Sequence, residues 1–363
     1  MSIIIFAIIL IVLILVHEFG HFIVAKKSGI RVDEFGLGYP PRVATLFKIG
    51  ETRYTLNAIP FGGFVKIFGE NPDGDSIAGP EKNRSLVNKP KGIQALVLAA
   101  GVSFNIIFAW ILISIGFMSG LPTPLSYAPE NVSEARVVIT SVSKDSPAEK
   151  AGLKVGDTIS NISSNGKSVE KVESSKVSDF IASHDQITLD ISKTKGGEVS
   201  QINLVPVEGI TPDKKAIGIS MDMIGTLQLP IHKAFWEGGK TTISLIKTIT
   251  IGLATFLFQA ITGHSDFSQV TGPVGIVGMV GDVSSLGFIY LLSFAAFISI
   301  NLAVINLVPF PALDGGRLLF VAIEAIKGSR INPKVANLMN GIGFALLIIL
   351  MVVITFNDVL KLF

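Results

Sequence analysis

The sequence predicts a polytopic α-helical membrane protein with four transmembrane helices, an inserted β-rich α+β domain and a small membrane-associated β-hairpin region. Three observations carry this. Of 363 residues, 49% are hydrophobic and only 16% charged, whereas a soluble domain carries about 25% charge. Four apolar stretches are long enough to cross a ~30 Å hydrocarbon core, near residues 3–25, 93–119, 286–308 and 335–356. Between the second and third, over Glu130–Asp222, charged and Ser-rich sequence replaces the apolar runs.

These stretches divide the chain. Residues 1–129 form an N-terminal membrane core with a β-rich cytoplasmic loop at 32–69, and 130–225 a domain outside the membrane. Residues 226–285 form a membrane-surface amphipathic segment, and 286–363 a C-terminal membrane core. Met1-Ser2 offers no basic n-region and no A-x-A site follows, so the first span is expected to be retained. Lys26, Lys27, Arg31, Arg84, Lys89 and Lys91 flank the first connection, and Arg317, Lys327, Arg330 and Lys334 the last. Gly120–Ala135 contains no Lys or Arg. The positive-inside rule therefore puts the first and last connections in the cytoplasm and both termini outside.

Thirty Lys and Arg against 28 Asp and Glu give a net charge of +2, too balanced for a nucleic-acid partner. The bilayer is the expected partner. The chain has no cysteine, so any metal must be held by His, Asp or Glu.

Span one contains His17-Glu18-Phe19-Gly20-His21. Ionisable groups at a membrane helix centre cost roughly 2.5–3.5 kcal/mol each, so they are functional by default. Residues i and i+4 share a face, and His17 and His21 can reach one cation. Glu18 beside them can act as general base on water at that metal. A plain pair of core histidines would instead leave three polar groups where lipid offers no partner. A catalytic zinc site has three protein ligands and one open position, so a third ligand must come from elsewhere. Span three ends in Asn306-Leu307-Val308-Pro309-Phe310-Pro311-Ala312-Leu313-Asp314-Gly315-Gly316. Its prolines break the helix and its glycines allow unusual backbone angles. Asp314 is the only carboxylate between Asp282 and Glu324. Taken alone, it reads first as a turn or capping aspartate ahead of the helix at Arg317.

H-E-x-x-H in the first span with N-x-x-P-x-P-x-L-D-G in the third resembles the site-2 protease family of intramembrane zinc metalloproteases. Gly62-Gly63-Phe64-Val65-Lys66-Ile67-Phe68-Gly69-Glu70 and Thr271-Gly272-Pro273-Val274-Gly275-Ile276 resemble its bacterial regulator-of-sigma-E protease (RseP) branch. The resemblance covers essentially the whole chain. It implies that His17, His21 and Asp314 bind Zn2+, that Glu18 is the base, and that Asn306 holds the substrate backbone or the developing oxyanion. The family's A-G-P-x-x-N reads here Ala100-Gly101-Val102-Ser103-Phe104-Asn105. The proline is lost but Asn105 remains, a candidate substrate-binding residue.

The shared metal bears on Thr241–Ile261, an apolar stretch interrupted by Lys247. Were it to cross, Asp314 would finish ~30 Å from the two histidines, far beyond a ~2 Å zinc bond. It is expected to lie along the outer surface or dip in without crossing.

In the insertion, Arg136–Ile139, Gln186–Ile191 and Ile202–Val205 read as strands. Ser146-Pro147-Ala148-Glu149-Lys150-Ala151-Gly152-Leu153-Lys154-Val155-Gly156-Asp157-Thr158-Ile159 resembles the PDZ-domain signature. PDZ domains take extended peptides at a sheet edge. In this family a size filter, excluding substrates that still carry a bulky outer domain, is the favoured role. The branch's best-known members carry two tandem PDZ domains, and this chain has room for one.

In the cytoplasmic loop, Arg53–Ala58 and Gly63–Phe68 are expected to pair as a hairpin across Ile59-Pro60-Phe61-Gly62. Phe61, Phe64, Ile67 and Phe68 would turn it toward the membrane. Its residues Gly63, Phe64, Val65, Lys66 and Ile67 are candidates to bind substrate as an edge strand, since a helix must be unwound before its amides can be attacked. Asn71–Lys91 reads as a flexible surface linker.

The function implied is a zinc-dependent intramembrane endopeptidase, multi-pass in a bacterial inner membrane, with termini and PDZ domain periplasmic. Its partners would be single-span membrane substrates, such as trimmed anti-sigma factors or remnant signal peptides. Two alternatives are a catalytically inactive membrane-anchored PDZ scaffold and a metal transporter. The first predicts a degraded third ligand, yet Asp314 is intact; the second predicts internal repeats, yet neither motif recurs.

Overall fold

A computed structural model describes residues 1–125, 127, 132–169, 172–193, 199–211, 214–263 and 270–360. The domain boundary expected at 130 lies outside the described residues. In chain order the elements are α1 (Ser2–Lys27), β1 (Val32–Ile49), β2 (Thr52–Ile67), α2 (Gly74–Ala78), α3 (Lys91–Ser119), β3 (Leu121–Pro124) and β4 (Val132–Val142). Then follow α4 (Pro147–Lys150), β5 (Thr158–Ser164), β6 (Lys167–Ser168), α5 (Ser174–Ser183), β7 (Ile187–Ser192) and β8 (Val199–Leu204). The rest are β9 (Val207–Thr211), β10 (Lys214–Ala216), β11 (Ile219–Leu227), α6 (Ile231–Ile261), α7 (Pro273–Leu286), α8 (Phe288–Leu307), α9 (Asp314–Lys327) and α10 (Pro333–Leu360). Two compact units result: one of Met1–Ile113, Phe235–Val280 and Ser293–Phe363, the other of Ser114–Ala234 and Gly281–Leu292.

Among the described residues, α1, α3, α6, α8 and α10 are long and apolar enough to cross a membrane. The four expected spans coincide with α1, α3, α8 and α10, and Thr241–Ile261 is the larger part of α6. Helix α10 leaves Phe344, Leu346, Ile349, Val352 and Val353 exposed. That surface suits lipid rather than water. Together with the family given below, these helices make the chain a membrane protein.

In the first unit, α1, β1, β2 and α3 share a core of Phe22, Ala25, Ile30, Val32, Val65, Ile67, Leu86 and Val97. Strands β1 and β2 join through Gly50-Glu51, and Gly50 takes the left-handed φ of +60° that a two-residue hairpin loop needs at its first position. Pairing runs from Ile49↔Thr52 to Arg42↔Asn57. Register shifts then fold the strands so that Glu34–Leu37 meets β2 twice, at Arg53–Leu56 and at Gly63–Lys66. The expected hairpin is therefore corrected. Arg53–Ala58 and Gly63–Phe68 do not pair; the first half of β1 lies between them, and Ile59–Gly62 continues a strand because the turn sits at Gly50-Glu51.

The membrane-facing expectation shifts with it. Ile67 and Phe68 are buried, Phe68 beneath the Arg31 guanidinium 3.7 Å from its ring centroid. The side chain of Phe61 lies outside the described residues. Exposed apolar residues cluster around the hairpin turn at Val43, Leu46, Phe47 and Ile49, with Tyr39, Leu56 and Ile59 exposed further along the strands. Nor is Asn71–Lys91 a featureless linker. Asp73 and Ser76 form a capping box on α2, and Asn88 Nδ2 donates to the carbonyls of Ser76 and Lys82. Arg31 and Arg84 both pair with Glu81, and their hydrogen bonds hold its carboxyl below the usual range.

The second unit is a seven-stranded sheet in the order β3-β11-β4-β5-β7-β8, with β6 paired to β5. Ile187, Leu189 and Ile191 alternate inward along β7, the period of two that a half-buried strand requires. They pack with Val137, Ile139, Ile159 and Ile162 under Val177 and Ile181 of α5. Leu189 has no exposed surface, so Leu189→Ala should cost this unit about 2–5 kcal/mol through lost burial and a residual cavity. Protease resistance of the unit in urea, in the full chain, reads this out; an unchanged midpoint would contradict it.

Candidate active site

Helix α1 brings His17 and His21 together, their Nε2 atoms 3.2 Å apart, both rings buried. Asp314 arrives from the first turn of α9, its Oδ2 3.0 Å from His17 Nε2 and 3.3 Å from His21 Nε2. These residues form the cluster of possible metal ligands found among the described residues. Ligands on a tetrahedral zinc at ~2.0 Å lie about 3.3 Å from one another, so the three atoms fit one ion. Asp314 Oδ2 is buried without a hydrogen-bond partner, which a cation would satisfy.

The turn that delivers Asp314 follows from its sequence. Helix α8 stops at Leu307, ahead of Pro309 and Pro311. Ala312 then takes φ +77°, an uncommon angle for a residue with a side chain, with its amide donating to Asn340 Oδ1 at 3.2 Å. A Cβ at Gly315 would lie 2.3 Å from the carbonyls of Leu307 and Val308, so only glycine lets α9 fold back against the end of α8. Arg317, one turn into α9, pairs with Glu70. That contact ties the turn to the end of β2.

The third side of the site is a face of α3. His21 Nδ1 lies 2.8 Å from the Val97 carbonyl, an acceptor only, so Nδ1 carries the proton and Nε2 keeps its lone pair for a metal. Four residues on, a Cβ at Gly101 would stand 2.4 Å from His21 Nε2 and 2.8 Å from His17 Nε2. A further turn along, Asn105 Nδ2 lies 3.3 Å from His17 Nδ1. A Cβ at Gly20 would meet the Ala100 carbonyl at 2.5 Å. Glycine on both helices thus permits α1 and α3 to approach this closely. Neither Gly101 nor the Val97 carbonyl was expected as part of the site; the only sequence signal was the small pair Ala100-Gly101.

Glu18 stands beside the ligands, and its Oε2 accepts from the Val65 amide at 3.1 Å. Of the strand residues expected to meet substrate, Gly63 packs near Leu15 and Glu18, and Val65 and Ile67 are buried. Phe64 is half-buried and Lys66 exposed. His17, Glu18, His21, Val65, Glu70 and Asp314 line a cavity of about 70 Å³, room for an ion and a few waters. Asn306 lies half-buried in the last turn of α8, and among the described residues it makes no hydrogen bond to the cluster. Asn105, expected to meet substrate, has no exposed surface and faces His17 instead.

Residues 5–350 match the model of peptidase family M50. Over 349 residues the chain is 34% identical to a Clostridium acetobutylicum protein provisionally named a zinc metalloprotease, covering 96% of this chain and 94% of that one. It is 29% identical to the regulator of sigma-W protease RasP of Bacillus subtilis, covering 100% and 99%. It is equally 29% identical to the zinc metalloprotease RasP of Oceanobacillus iheyensis, covering 97% of each. A match that runs through both halves of the buried His–His–Asp cluster makes this chain a zinc metalloprotease, and it belongs to peptidase family M50.

Proposed function

We propose that this metalloprotease is an intramembrane endopeptidase of the site-2 type, RseP-like branch, cutting single-span membrane proteins within or near their transmembrane helix. One observation carries the reading: the His17–His21–Asp314 cluster and Glu18 sit on and beside an apolar, membrane-length helix, next to a strand that, among the described residues, pairs on one side only.

His17 and His21 through Nε2, and Asp314 through Oδ2, would hold the zinc. When bound, zinc supplies Lewis-acid polarisation and lowers the pKa of water. Glu18 takes the proton from the attacking water and returns it to the leaving amine. Among the described residues Gly63–Ile67 has a β partner only in the first half of β1. Its other edge takes the substrate backbone as an added strand, which offsets the i→i−4 hydrogen bonds lost on unwinding. Asn306 holds the substrate backbone or the developing oxyanion.

Four helices cross. Helix α1 runs inward and α3 outward, so α8 must run inward to bring Asp314 to His17 and His21. An even number of crossings is then needed between α3 and α8. Helix α7 has 14 residues, about 21 Å at 1.5 Å per residue, short of the ~30 Å core. Helix α6 therefore lies along the outer surface or dips in without crossing. Termini and insertion are periplasmic, in a bacterial inner membrane. The insertion is a PDZ domain: the signature stretch forms α4, capped by Ser146 Oγ accepting from the Glu149 amide, with α5 packed on the sheet core. It acts as a size filter. Trimmed anti-sigma factors and remnant signal peptides are the expected substrates, in keeping with the sigma-W regulator among the relatives. An inactive scaffold has less support because Asp314 stands within reach of both histidines, and a transporter has less because neither motif recurs in the sequence.

The test uses the purified full chain in detergent with a tagged single-span peptide, with and without a bulky outer domain. Cleavage of the short form, lost on chelation and restored by zinc, is expected. Equal cutting of the bulky form would remove the filter, and chelator-resistant cleavage would remove the mechanism.

A further inference from the structure

The two metal-facing histidines are each held from behind by α3, but by different chemistry. A carbonyl sets the tautomer of His21, as above. For His17 to offer Nε2 to the same ion as a neutral imidazole, its Nδ1 must carry the proton and needs an acceptor. The carboxamide of Asn105 is the group within reach, 3.3 Å away through Nδ2. Its Oδ1 is buried without a partner. The oxygen and nitrogen of a carboxamide are distinguished only by their hydrogen bonds. Turning the amide half a revolution places Oδ1 on the His17 Nδ1 proton, and the NH2 takes the position Oδ1 leaves. The backbone around Asn105 is fixed independently: Ser299 Oγ on α8 donates to its carbonyl at 2.8 Å, and both residues have no exposed surface.

We infer that Asn105 is a positioning residue for the metal, accepting from His17 Nδ1 and thereby fixing the tautomer that presents Nε2 to zinc. This rests on His17, His21 and Asp314 being the ligands. It gives Ala100–Asn105 a physical purpose: Gly101 makes the space, and Asn105, four residues further on the same face, sets the ring.

The test is zinc affinity, by chelator competition on the purified full chain, with the ligand-field spectrum of the cobalt form as a second readout. Asn105→Leu removes the acceptor and should weaken zinc about 10- to 100-fold, the usual effect of losing such a partner. Asn105→Asp keeps an acceptor and loses the donor; it should hold zinc within about threefold of wild type and keep the cobalt spectrum. A purely structural role would make the two variants similarly weak, or would leave both at wild-type affinity, and either result overturns the inference. Should Asn105→Leu not accumulate folded, Asn105→Asp decides alone: retained affinity supports the acceptor role, and a tenfold loss refutes it. His17→Ala serves as control. If it keeps zinc, the ligand assignment has failed; if it loses zinc while Asn105→Leu does not, only the role of Asn105 has failed.

Discussion

Glu18→Gln should abolish detectable proteolysis while leaving zinc bound at wild-type stoichiometry. The amide has the same shape as the carboxylate and can still accept from the Val65 amide 3.1 Å away through its remaining oxygen, so the local packing survives. What it cannot do is accept a proton from water or return one to the leaving amine. General acid–base groups contribute about 10²- to 10⁴-fold to rate, and in the proposed mechanism one carboxylate serves both transfers. The measurement is turnover of the single-span peptide beside metal content on the same samples. Activity within tenfold of wild type would mean that another group moves the proton. Zinc loss in the variant would instead make Glu18 a ligand or a ligand support.

Gly101→Ala should cost the protein its zinc without unfolding it. On helix propensity alone the change is favourable, since alanine exceeds glycine in a helix interior by about 0.5–1 kcal/mol. The added methyl, however, would stand 2.4 Å from His21 Nε2 and 2.7 Å from His17 Cε1. One ring or the helix must move, and zinc ligands tolerate only about 0.2 Å of error in bond length. Overpacking of this sort costs about 1–3 kcal/mol, so the apo protein should remain helical by circular dichroism. The metal site should lose more than the ~100-fold typical of an orienting partner. Metal analysis after purification checks this, and stoichiometric zinc in Gly101→Ala would show that α3 yields more readily than its packing indicates.

Much of this site was legible in the residues. The four-residue spacing of His17 and His21 needs only helical geometry to put two nitrogens on one ion, and hydropathy placed α1, α3, α8 and α10 to within a few residues. The Pro-rich turn and paired glycines before Arg317 marked where a third ligand could enter. The β-rich loop was read less well. Apolar segments flanking Ile59-Pro60-Phe61-Gly62 suggested pairing across that stretch, but the true loop is the less conspicuous Gly50-Glu51. The interleaving of Glu34–Leu37 between two stretches of β2 is a non-local register that no window of sequence encodes.

What chain chemistry alone settled was the inventory: a helix apolar and long enough to cross a membrane, a histidine pair on one face, no thiol to compete for metal, and a carboxylate at a broken helix end. Those are local properties, dictated by side-chain type and the 3.6-residue period. Tertiary structure decided how the inventory is used. Asp314 is a ligand candidate rather than a cap only because α9 folds back under Gly315 and Gly316 to within 3.0 Å of His17. Asn105 faces a histidine only because Gly20 and Gly101 let α1 and α3 approach. The Val97 carbonyl that sets His21 is a backbone atom, identical in every residue, and its role exists only where packing brings an imidazole to it.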